Sequence, residues 1–153
     1  MTAAVKEQIE EIVIEAKPRD KKVDSLGRAY ATGKRKNSIA RVWIKEGNGK
    51  FDVNGKDLSA YFGRVILSNI IKQPFEAIKS NDKFDVVATT TGGGLSGQAG
   101  AVLLGISKAL VAFNPEYYPI LRKSGFMTRD SRIVERKKPG LKKARKGQTY
   151  RKR

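Results

Sequence analysis

The sequence predicts a small α+β domain, one layer of sheet and one of helices, that ends in a long basic tail. Three observations carry this. An alternating segment (Ser38 to Lys45) and a β-branched segment (Phe84 to Thr91) read as strands, and an apolar stripe from Ala99 to Phe113 reads as a helix. The last thirty-two residues hold fourteen Lys or Arg and only two acids, Asp130 and Glu135. About 95 residues, 28–122, hold enough apolar side chains to bury one core.

Ordered structure is expected from Tyr30. Ala40, Val42 and Ile44 alternate with Ile39, Arg41, Trp43 and Lys45, the period of a strand. Gly47-Asn48-Gly49 supplies turn residues and Lys50 to Val53 resumes extended structure before Asn54-Gly55, which predicts a hairpin between the two segments. Asp57 or Ser59 is placed to cap the next helix, over Leu58 to Phe62. A second helix is expected from Arg64 to Lys72, broken at Pro74, with another turn through Ile78. Phe84 to Thr91 gives a strand, Gly92 to Gly100 a loop, and Ala99, Val102, Leu103, Ile106, Leu110 and Phe113 a helix that Asn114-Pro115 ends. With Lys108 its only charge, that helix belongs across the sheet at the centre of the core. A short helix over Tyr117 to Lys123 leads into the tail. The predicted order is β-β-α-β-α.

The chain carries a formal charge of +17, distributed unevenly. Residues 1–27 have a net charge of −1, 28–50 of +6, 51–121 of zero and 122–153 of +12. An acidic extension (1–27), a globular domain (28–121) and a basic tail (122–153) follow. Val5, Ile9, Ile12 and Val13 in the extension have helical spacing among glutamates. Self-repulsion keeps such a tail extended until a dense polyanion neutralises it, and nucleic acid gains counterion release for each phosphate paired. A merely solubilising surface would mix both signs.

The chain has no Cys and no His, which removes thiolate nucleophiles, imidazole bases, soft-metal sites and disulfides. No enzyme, cofactor or metal is expected. No stretch approaches the roughly eighteen apolar residues of a membrane span, so no membrane partner is expected either. Gly92, Gly94 and Gly97 satisfy G-x-G-x-x-G between a strand and a helix, in outline a dinucleotide loop. The context disagrees: no βαβ series precedes it, and Glu116 falls after the helix rather than at the end of a second strand. A purely structural turn and close backbone approach to an RNA phosphate remain as readings. Lys34-Arg35-Lys36, expected at a strand entrance, suits phosphate contact.

Tyr30 to Ile44 (YATGKRKNSIARVWI), Gly92 to Leu110 (GGGLSGQAGAVLLGISKAL) and Gly125 to Lys146 (GFMTRDSRIVERKKPGLKKARK) together span 56 of 153 residues. They resemble, in order, the three hallmark segments of the small-subunit ribosomal protein nine family, bacterial type. Tyr61 to Arg64 (YFGR) and Lys72-Gln73-Pro74 fit as well. The resemblance implies a fold shared with the second domain of ribosomal protein five and a place in the head of the small subunit. The partners implied are 16S-type ribosomal RNA, neighbouring ribosomal proteins and the peptidyl-site transfer RNA, in a cytoplasmic ribosome and without a homo-oligomer.

The ribosomal-RNA contacts expected on these grounds are Lys34, Arg35 and Lys36, the loop residues Gly92, Gly93, Gly94, Ser96, Gly97 and Gln98, and tail residues Arg129, Arg132, Arg136, Lys137, Lys138, Lys142, Lys143 and Arg145. Lys152 and Arg153 are expected at transfer RNA. The family's tails commonly close with Gln-Phe-Ser-Lys-Arg, whereas here Gln148 is followed by Thr149-Tyr150-Arg151-Lys152-Arg153.

Overall fold

The structure is a computed structural model that describes residues 21–80 and 82–149. The expected helix among Val5 to Val13 and the terminal pair Lys152-Arg153 lie outside the described residues. Strands β1 (Ala29–Arg35), β2 (Ser38–Glu46), β3 (Phe51–Val53), β4 (Lys56–Asp57) and β5 (Phe84–Thr91) form one sheet in the order β1-β2-β5-β3-β4. Neighbours are antiparallel except β3 and β5, which run parallel. Helices α1 (Leu58–Phe62), α2 (Val65–Ala77), α3 (Leu95–Phe113) and α4 (Tyr118–Lys123) complete the α+β domain, with a 3₁₀ turn over Pro115–Tyr117.

Alternation along β2 and β5 gives the sheet one buried face. Ala40, Val42, Ile44, Phe84, Val86 and Ala88 point inward, while Ile39, Arg41, Lys45, Val87, Thr89 and Thr91 are exposed. Helix α3 crosses the buried face over β1 and β2, as its nearly uniform apolar surface predicts. Two glycines permit that crossing. A Cβ on Gly33 would overlap the backbone of Ala101 and Gly105, and one on Gly105 would come within 2.6 Å of Val42 Cγ2. By length and composition α3 is apolar enough to span a bilayer, contrary to the sequence reading, but its surface is spent on the core: Ala101, Ile106, Ala109 and Leu110 are inaccessible to solvent.

The predicted hairpin between β2 and the segment at 50–53 does not form. Strand β5 lies between β2 and β3, and the Gly47–Gly49 turn is held against the start of β5 by Asn48 and Lys50 N–H groups that donate to Asp85 at 2.9 and 3.0 Å. The hairpins are β1–β2, closed at Lys36-Asn37, and β3–β4, closed at Asn54-Gly55 with both residues in the left-handed region. β1 and β4 went unforeseen, the former because its small residues and Gly33 carry little strand signal. Asp57 caps α1, accepting from Ser59 N–H at 3.0 Å.

Helix α2 runs through Pro74 instead of breaking there. Pro74 sits in the last turn, fully buried, and its carbonyl still accepts from Ile78 N–H at 3.4 Å. Burial of the ring offsets the one lost backbone donor. Helix α3 starts at Leu95, earlier than its apolar stripe suggested, so Gly97 and Gly100 are helical. Before β1, Lys22 N–H donates to Ala112 at 2.8 Å and Val23 bridges Ala29.

Candidate nucleic-acid interface

Three parts of the sequence meet at one end of the domain: the β1–β2 tip, the glycine loop and the start of the tail. The basic cluster expected at a strand entrance is this tip. Lys36 takes φ 52° so that Arg35 and Ser38 can pair across a two-residue turn. Lys34 and Lys36 are exposed and have no carboxylate partner among the described residues. Arg35 turns inward, with Nη1 donating to Ser96 carbonyl at 3.5 Å and Nη2 3.1 Å from Asp130 Oδ2.

The loop reverses the chain at Gly92 and Gly93, whose φ values of 71° and 62° favour glycine. Added side chains there would also strike Asn37 carbonyl and Ser38 Oγ, respectively. Gly94 differs. Its φ of −120° suits any residue, and a Cβ would meet open space. It stands at the N-terminus of the nineteen-residue α3 without a side-chain cap, so the first amides of the helix point outward unsatisfied.

The loop is braced from behind. Buried Ser38 donates to Gly92 carbonyl at 3.2 Å, and Gln98 Nε2 donates to the same oxygen at 3.1 Å. Tyr61 hydroxyl donates to Gln98 Oε1 at 2.8 Å and lies 3.2 Å from Thr90 Oγ1. Asn54 closes the chain, with Oδ1 accepting from Thr90 N–H at 2.8 Å and Nδ2 donating to Thr90 carbonyl at 3.1 Å. Gln98 therefore faces the network beneath the loop, whereas Gly92, Gly93, Gly94 and Ser96 are exposed and Gly97 packs against Ser38.

In front of the loop opens a cleft of about 660 Å³. Its lining includes two cations, Lys36 and Arg64, the apolar side chains of Leu67, Leu95, Ile133 and Val134, and no carboxylate. Arg64 was not singled out by the charge reading, being one cation in a neutral middle. The signal was Gly63, whose left-handed φ of 62° ends α1 and sets Arg64 at the start of α2.

The tail leaves the domain beside the hairpin. Phe126 and Met127 pack on the core. Asp130 then receives Arg132: backbone N–H at 3.0 Å, Nε at 3.0 Å and Nη2 at 2.8 Å. Those hydrogen bonds from Arg132, foremost its side chain, and the nearby Arg35 charge hold the Asp130 carboxyl well below the usual carboxylate range. Arg145 pairs with Glu135 through a two-point contact that raises the Arg145 pKa. From Arg129 to Gln148 the chain has no helix or strand. Arg129, Arg136, Lys137, Lys138, Lys142 and Lys143 are exposed without a carboxylate partner among the described residues. Arg132 and Arg145 are exposed too, each with one acid beside it.

An uncapped helix end, unpaired cations and a tail without regular structure are the equipment of a protein that lies on nucleic-acid backbone. Comparison with known families places this class among ribosomal proteins. Residues 33–153 match the family described as Ribosomal protein S9/S16, and the chain belongs to that family. It is accordingly a structural, non-enzymatic component of the ribosome that binds ribosomal RNA, with ribosomal RNA and ribosomal proteins as its partners in translation. The match begins at Gly33 and takes in the hairpin tip, the glycine loop, the cleft and the tail.

Proposed function

We propose that the chain is a constituent of the small subunit, seated on 16S-type ribosomal RNA in the subunit head. On this reading the domain (28–121) binds RNA at the glycine cleft, the tail (122–153) follows RNA away from it, and residues 1–27 form an extension outside the RNA contact. The observation that carries the reading is the cleft itself. Outward amides at Gly94 to Ser96, with Lys36 and Arg64 on the walls and no acid in the lining, suit a phosphate better than any neutral or cationic ligand.

Lys34, Lys36, Gly93, Gly94 and Ser96 then face RNA directly, while Arg35, Gly97 and Gln98 act through the shape of the loop. Arg129, Arg132, Arg136, Lys137, Lys138, Lys142, Lys143 and Arg145 meet successive phosphates. Lys152 and Arg153 reach the peptidyl-site transfer RNA, an assignment supported by the family resemblance of the tail.

The test is crosslinking with RNA mapping on purified ribosomes, using photoreactive residues at Ser96 and Lys137 in separate experiments. Both should mark 16S-type RNA, at different sites. Adducts confined to large-subunit RNA would contradict the small-subunit assignment. For the tail end, loss of residues 151–153 should leave assembly intact and speed peptidyl-site transfer-RNA release modestly, by about fivefold or less for a solvent-screened contact. Release at the wild-type rate across a salt series would contradict the transfer-RNA role.

A further inference from the structure

The exposed face of the sheet carries a second surface that shares no residue with the lining of the cleft and meets the RNA-facing residues only at Lys34, on its edge. Strand register arranges it in rows. Tyr30 pairs with Trp43 and Trp43 with Val87; Thr32, Arg41 and Thr89 form the next row, and Lys34, Ile39 and Thr91 the third. Tyr30, Ile39 and Val87 remain 40%, 42% and 47% exposed. A groove of about 360 Å³ passes Trp43, Lys45, Asp85 and Val87. The Tyr30 and Trp43 rings lie 5.2 Å apart, and the Arg41 guanidinium sits 5.2 Å from the Trp43 centroid and 5.8 Å from that of Tyr30. Arg41 Nε donates to the Tyr30 hydroxyl at 3.3 Å. Thus Arg41 is held in place by two rings yet has no carboxylate partner among the described residues. Asp85, two rows along opposite Lys45, is already committed to the Asn48 and Lys50 amides and to Lys45.

We propose that this face docks an acidic segment of another protein, one that lays apolar side chains along the Tyr30–Trp43–Val87 row and sets an Asp or Glu on Arg41. Local charge complementarity at Arg41 selects the acid, because its pre-positioned planar fork matches a carboxylate at two points. Two observations favour polypeptide over RNA. Arg41 already lies over the Tyr30–Trp43 pair, so a base stacking there would have to displace the guanidinium. The charges that strand register puts on this face are also balanced, Lys34, Arg41 and Lys45 against Asp52, Asp57 and Asp85, whereas the tail holds fourteen cations to two acids. An apolar centre containing Tyr, Trp and Arg inside a mixed polar rim is the make-up of a protein interface.

The experiment places a photoreactive phenylalanine analogue at Ile39 or Val87 of the full chain and maps adducts in ribosomes purified through high salt. Both positions should label one protein segment containing Asp or Glu. Arg41→Glu should lower the yield about five- to tenfold, and reversing the partner's acid to Lys should restore it. Arg41→Lys, which keeps the charge without the fork, should fall between. Should Arg41→Glu melt lower, the charge-swapped pair still decides: regained adducts support the proposal and their absence overturns it. Adducts to RNA, to a second copy of this chain or to a segment without acids, or no adduct at all, overturn it as well. Adducts from Ser96 report separately on the cleft, so failure of one surface is distinguishable from failure of the other.

Discussion

Arg35 on the first hairpin and Asp130 at the root of the tail form an ion pair of 3.1 Å that ties the start of the tail to the domain. Arg132 holds the same carboxylate from the tail side, so one acid joins two cations that would otherwise repel. An acid in so basic a segment has a use here: it sets the direction in which the tail leaves.

Asp130→Asn should therefore loosen residues 128–134 without changing the melting temperature, since the pair is partly exposed and outside the core. Hydrogen exchange at Arg132 and Ile133 reports it. The Asp130 pKa is depressed, so the tie is fully present above the ordinary aspartate range near pH 4 and is lost as pH falls through the lower folded value. Protection factors at those amides, taken relative to the intrinsic exchange rate at each pH, should be unchanged from pH 7 to 5 and fall only in stronger acid. A loss of protection between pH 6 and 5 would contradict this assignment.

Asn54 should be among the least replaceable polar residues. It adopts φ 53°, ends β3 and supplies both Thr90 N–H and Thr90 carbonyl with partners. Asn54→Ala should cost about 2–3 kcal/mol from unsatisfied partly buried groups and left-handed strain. Tyr61→Phe, which removes the hydroxyl's links to Gln98, Thr90 and Asn54 Nδ2 but leaves both Asn54–Thr90 backbone bonds in place, should cost about 1 kcal/mol. Urea unfolding of both variants gives the values, and equal effects would contradict the order.

Salt dependence should follow the tail. With about six to ten phosphate contacts, the log–log slope of RNA binding should be on the order of −4 to −9. A deletion starting at Ser124 would also strip Phe126 and Met127 from the core, so the clean variant ends at Glu135. It should melt like the full chain and show a much flatter slope. An unchanged slope would place the electrostatic footprint on the domain instead.

These particulars show which features a sequence can carry. The strands at 38–46 and 84–91 and the long helix were legible because each buries one face, and burial leaves a periodic trace. Strand pairing leaves none: Gly47-Asn48-Gly49 has the composition of a hairpin turn, and nothing local reveals that β5 enters between β2 and β3. Pro74 was misread as a break because its burial against the core is a tertiary fact. At the site, glycine spacing and charge runs located the loop and the tip. The division of labour within them was hidden, since Gln98 and Arg35 look like surface polar groups until the Tyr61 and Asp130 contacts are known. Arg64 was invisible to charge counting because it stands alone in the chain.

The central claim, that the backbone at the start of α3 seats an RNA phosphate, is tested most directly at Gly94. A valine there meets open space at an ordinary φ, so the fold should be kept at a cost of about 1 kcal/mol or less for valine at a helix N-cap; Gly93→Val, at φ 62° and against Ser38, should destabilise by about 2 kcal/mol or more and serves as the contrast. The measurement is the affinity of Gly94→Val for its ribosomal RNA at fixed salt, beside its melting temperature. Melting within a few degrees of wild type with affinity reduced about ten- to hundredfold, the worth of charge-assisted hydrogen bonds lost to a bulky side chain, is the predicted result. The same melting with wild-type affinity would mean that the loop is only a turn, and would contradict the claim.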